Sequence, residues 1–164
     1  MPELPKANYQ VWVRGYGLVD SPKMRAKPGQ QLNHTSVTAP NAAAAAHYYP
    51  AIYWYVMMKL PPEKDFGGST DIPKNITRST WIQRMNNVDC IGCHQLGQES
   101  TRMIPAQFGK FDSGAEAWMR RIQAGQSGEM MTNHIAGQLG GAPYKYFGDW
   151  TDRIAKGELP KHKP

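Results

Sequence analysis

Five consecutive residues, Cys90-Ile91-Gly92-Cys93-His94, constrain this chain more than any other stretch, because they hold its only two cysteines with a histidine directly behind them. Two thiols on one turn can reach the two vinyl groups of a porphyrin, and the adjacent imidazole can ligate the iron, which is the spacing of covalent c-type haem attachment. A disulfide is a poor reading of so short a loop, since a cross-link gains most by closing a long one. A thioredoxin-like redox pair would need a strand before Cys90 and a helix starting at it, whereas the local pattern ends a helix there. A structural zinc site needs four ligands, and His134 or His47 would have to be recruited from afar to complete it. The motif therefore predicts one haem c on Cys90 and Cys93, with His94 on the iron.

The rest of the composition sets limits around that site. A chain of 164 residues can bury a core in one or two domains. Its 16 glycines and 13 prolines predict short helices and much irregular chain. Mean hydropathy is −0.60, and the apolar stretch Ala51 to Leu60 is flanked by Pro50 and contains Lys59, so no transmembrane span is expected. The net charge of +6 comes from scattered lysines and arginines without a basic block, which argues against nucleic acid and for a solvated surface that attracts an acidic redox partner. Residues Met1 to Gln10 lack the apolar run of a secretory signal. Because c-haem assembly takes place across the membrane, the expected location is periplasmic or secreted, with the chain a processed product or part of a longer polypeptide.

Periodicity divides the chain. YQVWVRGYGLV, from Tyr9 to Val19, alternates like a strand or hairpin, and a second strand is expected over Gln31 to Thr38. Asn41 is suited to cap a helix over Ala42 to Tyr49, with Pro50 interrupting before Ala51 to Leu60. The segment from Pro61 to Pro73 mixes breakers and charges and reads as an exposed linker. Three further helices are predicted. The first spans Thr77 to Val88, with Trp81, Met85 and Val88 on one face. The second spans Ser113 to Ala124, opened by the capping box Ser113-x-x-Glu116 and striped by Ala115, Trp118, Met119 and Ile122. The third spans Pro143 to Lys156, with Phe147, Trp150 and Ile154 on one side and Gly157 stopping it. The expected organisation is a partial β segment over 1–40, a connecting helix over 41–60, a linker over 61–76 and a haem domain over 77–160.

The order of helix, CxxCH, proline loop, helix, methionine loop and aromatic C-terminal helix across Thr77 to Lys156 resembles class I cytochromes c, as do the segments IPAQFGKF, AEAWMRRIQAGQSG and FGDWTDRIAKGEL. The resemblance implies a mainly α, cytochrome c-like helical haem domain preceded by short β-strands and a helix. It implies that Trp81 or Met85 and Phe147 or Trp150 wall the haem where the first and last helices cross, with Trp118 also excluding water. It further implies that the Pro105 carbonyl accepts the Nδ1 proton of His94, and that a methionine between the second and third helices is the sixth ligand. Met131 is the expected donor, Met130 the next, and His134 the competing imidazole; Met103 is too close to the motif and Met119 lies on a packing stripe. The N-terminal PELPKANYQVWVRGYGLVDSPK is similar to the last strands of a carboxypeptidase regulatory-like β-sandwich, which occurs in longer bacterial secreted proteins, sometimes with a propeller similar to virginiamycin B lyase. The expected function is one-electron transfer without catalysis by this chain. The alternatives are the electron-accepting haem domain of a larger periplasmic enzyme and a haem-based gas or redox sensor. No G-x-S-x-G or HExxH pattern supports a hydrolase.

Overall fold

Breakers cut the chain into short elements. The computed structural model describes residues 3–68 and 70–164, except for the side chains of Asn87 and Val88, so the expected place of Val88 on the first helix face lies outside the described residues. The chain separates into a unit of residues 1–49 with 161–164 and a unit of residues 50–160.

In the first unit β1 (Tyr9–Val11) pairs antiparallel with β3 (Met24–Ala26), and β2 (Leu18–Val19) pairs antiparallel with β4 (Val37–Thr38). The strand expected from Gln31 thus shrinks to two residues. Ser21 is the buried polar residue that joins this region: its Oγ accepts the Val13 N–H at 2.9 Å while its own N–H donates to the Val13 carbonyl at 3.0 Å. Helix α1 (Ala42–Ala46) begins where Asn41 Oδ1 accepts the Ala44 N–H at 2.9 Å, satisfying an otherwise unpaired first-turn donor.

The second unit holds the larger core. Helix α2 (Ala51–Tyr55) starts after Pro50, and α3 (Arg78–Gln83) is capped by Thr77 and continues as a π-helical turn over Arg84–Val88. Beyond the motif come α4 (Glu99–Arg102), α5 (Gly114–Ile122), α6 (Gly128–Thr132) with a second π-helical turn over Asn133–Gln138, and α7 (Pro143–Ala155). Ser113 Oγ accepts the Glu116 N–H at 3.2 Å, and the Glu116 carboxylate reaches back to the Asp112 N–H at 3.3 Å. Helices α5 and α7 cross at two glycines: a Cβ on Gly148 would lie 2.6 Å from the Ala115 nitrogen, and one on Gly114 would lie 2.8 Å from the Gly148 Cα. Around that crossing Trp118 stacks on Phe147 at 4.8 Å between ring centroids, and on Trp150 at 6.4 Å. Trp150 is 0% exposed, and its indole N–H donates to the Trp54 carbonyl at 2.8 Å.

Two expectations are corrected. The architecture is mixed α/β, not a mainly α, cytochrome c-like fold: among the described residues there are seven helices, 39% helical content and two small antiparallel sheets. That helical share is close to the roughly 30–35% of an ordinary globular protein, because the glycines and prolines stop most helices within two turns. The division between units falls at residue 50 instead of within 61–76. The supposed linker belongs to the second unit, where Ile72 and Ile76 are buried in its hydrophobic core.

Candidate functional site

Helix α3 carries Trp81 into the core, and the π-helical turn that follows adds Met85 and delivers the chain to Asp89 and Cys90. The His94 N–H donates to the Cys90 carbonyl at 3.0 Å, and the Leu96 N–H donates to the His94 carbonyl at 3.0 Å, so the motif closes on itself as a tight turn. Both cysteines are free thiols: Cys93 is exposed, while Cys90 is half-buried against the core. Burial, reinforced by the neighbouring Asp89 and Cys93, pushes the Cys90 thiol up to about 11. His94 is exposed at the surface, while Leu96 and Gly97 behind it are buried. Gly97 adopts φ +98°, and a Cβ there would collide with the Ala51 carbonyl oxygen, so the motif loop lies directly on α2.

Cys90, Cys93 and His94 all line one cavity of about 710 Å³. Trp118, Ile122 and Phe147 form an aromatic and aliphatic wall, the loop Ala124–Ser127 forms another side, and Met130, Met131, His134 and Ile135 bring α6 and its π-helical extension to the same space. This donor set fits a covalently held haem. The volume lies within the ~300–1,000 Å³ usual for cofactor and small-molecule sites, and the lining is apolar apart from a few convergent polar groups. Two thiols and an imidazole meet there, and three further side chains able to bind iron stand on one element. Among the described residues no group of three or more His, Cys, Asp or Glu side chains is arranged to hold a bare metal ion.

The structure sorts the remaining predicted residues. Trp118 and Phe147 reach the cavity, whereas Trp81, Met85 and Trp150 are buried without lining it. Trp81 instead packs edge-on against Tyr146, with ring centroids 5.5 Å apart. Pro105 also lies outside the lining. Its carbonyl accepts the Phe108 N–H at 3.0 Å to open a 3-10 turn, and among the described residues no hydrogen bond joins it to His94. Met103 and Met119 are exposed and outside the lining.

Comparison with protein-family models, curated proteins and solved structures finds no match.

One polar cluster went unread in the sequence. Asp89 lines the cavity and is nearly buried; its Oδ2 accepts from Arg84 Nη1 at 3.0 Å, and its Oδ1 stands 3.5 Å from His134 Nδ1. Arg84 Nη1 also donates to Gln138 Oε1, which links the two π-helical turns. Asp89 directly precedes Cys90 and Arg84 stands five residues before it, but His134 lies 45 residues further along and carries no local signal that it meets Asp89. Ile122, on the predicted stripe of α5, and the loop after Gly125 were the other lining groups within reach of a sequence reading.

Proposed function

We propose that this chain binds one haem covalently through Cys90 and Cys93, ligates the iron through His94, and carries single electrons outside the cytoplasm without a catalytic reaction of its own. The observation that carries this reading is the convergence of both cysteines and His94 on one largely apolar cavity that Met130, Met131 and His134 also line. A bound haem supplies a ferric/ferrous couple. The protein's part is to hold and shield. Cys90, anchored against the core, and Cys93, at the surface, give two covalent attachments of different depth. Trp118, Phe147 and Ile122 exclude water from the inner face and lower the local polarity, which tunes the potential. Met130, Met131 or His134, which line the same cavity, would supply a further ligand to the iron and so would leave no open site for a substrate.

Among the described residues no helix is long and apolar enough to cross a membrane. With a net charge of +6 on the polypeptide, the proposed redox partner presents an acidic face.

Expression of the full chain with a c-haem maturation system tests the proposal. The expected product keeps its red pigment through denaturation and acid–acetone extraction, and a Cys90→Ser, Cys93→Ser double variant loses it. A wild-type polypeptide that sheds all its haem on denaturation would refute covalent attachment.

A further inference from the structure

Asp89 places its carboxyl group at a site where only 7% of its side chain is exposed. Burying a carboxylate is costly unless partners compensate, and this one is only partly compensated. Arg84 Nη1 donates to Oδ2, while Oδ1 is turned to the imidazole of His134. The 3.5 Å separation is too long for a good hydrogen bond, and His134 Nδ1 is buried with no hydrogen-bond partner among the described residues. An unpaired buried ring nitrogen is itself destabilising. Two polar groups are therefore held face to face, a few tenths of an ångström short of pairing.

The same ring lines the cavity and is 31% exposed although its Nδ1 is covered, so the accessible part of the imidazole is the remainder of the ring. A histidine that turns one nitrogen to a carboxylate and offers the other to an open site is the usual arrangement of a metal-binding imidazole, in which the carboxylate fixes the ring and raises its basicity. The backbone agrees. His134 sits in the π-helical turn Asn133–Gln138, and Asp89 directly follows the π-helical turn Arg84–Val88; such turns are uncommon and concentrate at functional positions. The methionines are placed differently. Met130 is 48% exposed, and Met131 packs against the hydrophobic core.

We propose that Asp89 is a positioning residue for His134, and that this pair makes His134, in place of Met131 or Met130, the second axial donor to the haem iron. The inference rests on the covalent haem reading above and specifies its ligand. Pairing with Asp89 selects the tautomer with the proton on Nδ1 and leaves Nε2 with a free lone pair. Arg84, shared between Asp89 and Gln138, keeps the carboxylate aimed while tying the motif side of the cavity to the His134 side.

The test uses the full matured chain in its ferric state. The expected electron paramagnetic resonance spectrum is that of low-spin iron between two imidazoles, with no far-red charge-transfer band of methionine–iron ligation, and Met131→Ala keeps that spectrum. His134→Ala opens the position and binds added imidazole far more tightly than wild type. Asp89→Asn strengthens binding of added imidazole by about 10–100-fold, the usual penalty for losing such a partner, and Asp89→Glu restores the wild-type value. A far-red band in the wild type that Met131→Ala or Met130→Ala abolishes would overturn the proposal. So would an Asp89→Asn protein that is merely less heat-stable, with spectrum and imidazole affinity unchanged. Absence of pigment surviving denaturation in the wild type would instead bring down the attachment reading, and this inference with it.

Discussion

Cys90 and Cys93 stand three positions apart yet differ in what can reach them. Cys93 is exposed, whereas Cys90 is half-buried with its thiol pushed up to about 11, so it stays protonated at neutral pH and is a poor nucleophile. In the folded, cofactor-free chain, iodoacetamide should alkylate Cys93 at least about tenfold faster than Cys90, as read by mass spectrometry of timed digests. Equal rates would show that the Cys90 pocket opens freely. Asp149 gives a second residue-level expectation. Burial raises its carboxyl, but hydrogen bonds from Arg153 at 2.9 Å and Lys59 at 3.2 Å outweigh that and hold it below its ordinary value of 3.8. A carboxyl whose folded value is depressed stabilises the fold above the unfolded value and loses that contribution as pH falls through the folded one. The group is largely solvent-exposed, which limits the effect to about 0.2–1 kcal/mol. Asp149→Asn should therefore lower stability slightly at pH 7 and flatten its decline below about pH 4, measured by urea titration at each pH.

Helices α5 and α7 approach each other so closely that the next methyl group has no room. Gly148→Ala would set its Cβ 2.6 Å from the Ala115 nitrogen, a backbone atom that cannot step aside without moving the helix. The expected cost is about 1–3 kcal/mol in chemical denaturation, and because Trp118 and Phe147 flank the crossing, absorption of the matured protein should shift as well. Retained stability would mean that the two helices can slide apart. The elements best marked in the sequence are those with local chemistry at their ends: Asn41 and Ser113 cap where their side chains have first-turn donors to satisfy, and Pro143 opens α7 at a position that needs no N–H. The π-helical turns were invisible, since nothing in RMNNV or NHIAGQ distinguishes a five-residue from a four-residue hydrogen-bond step. Ile72 and Ile76 misled for a related reason, as two isolated apolar residues in a polar stretch carry no period. The aromatic stripes announced a core. Which rings face the cavity depends on how α5 and α7 rotate about their glycine crossing, and so Trp118 and Phe147 line it while Trp150 does not.

At the scale of the molecule, the net charge of +6 should appear in the kinetics of the reduced, haem-loaded protein. Oxidation by an anionic reagent such as hexacyanoferrate should be fast at low salt and slow as ionic strength rises, whereas a cationic cobalt complex should show the opposite trend. Identical salt dependences would place the electron's exit on a neutral patch and remove the case for an acidic partner. The motif marked the residues that line the cavity, Cys90, Cys93 and His94, but the mixed α/β architecture around it was not legible, because only tertiary contacts decide how many short strands and interrupted helices assemble. Where Gly97 meets the Ala51 carbonyl, two stretches of main chain touch with no side chain as cushion. Such a close junction leaves little room for either stretch to shift toward the other. A redox centre seated on that brace would undergo little nuclear rearrangement between its two oxidation states, and a small rearrangement is what keeps the activation barrier to electron exchange low.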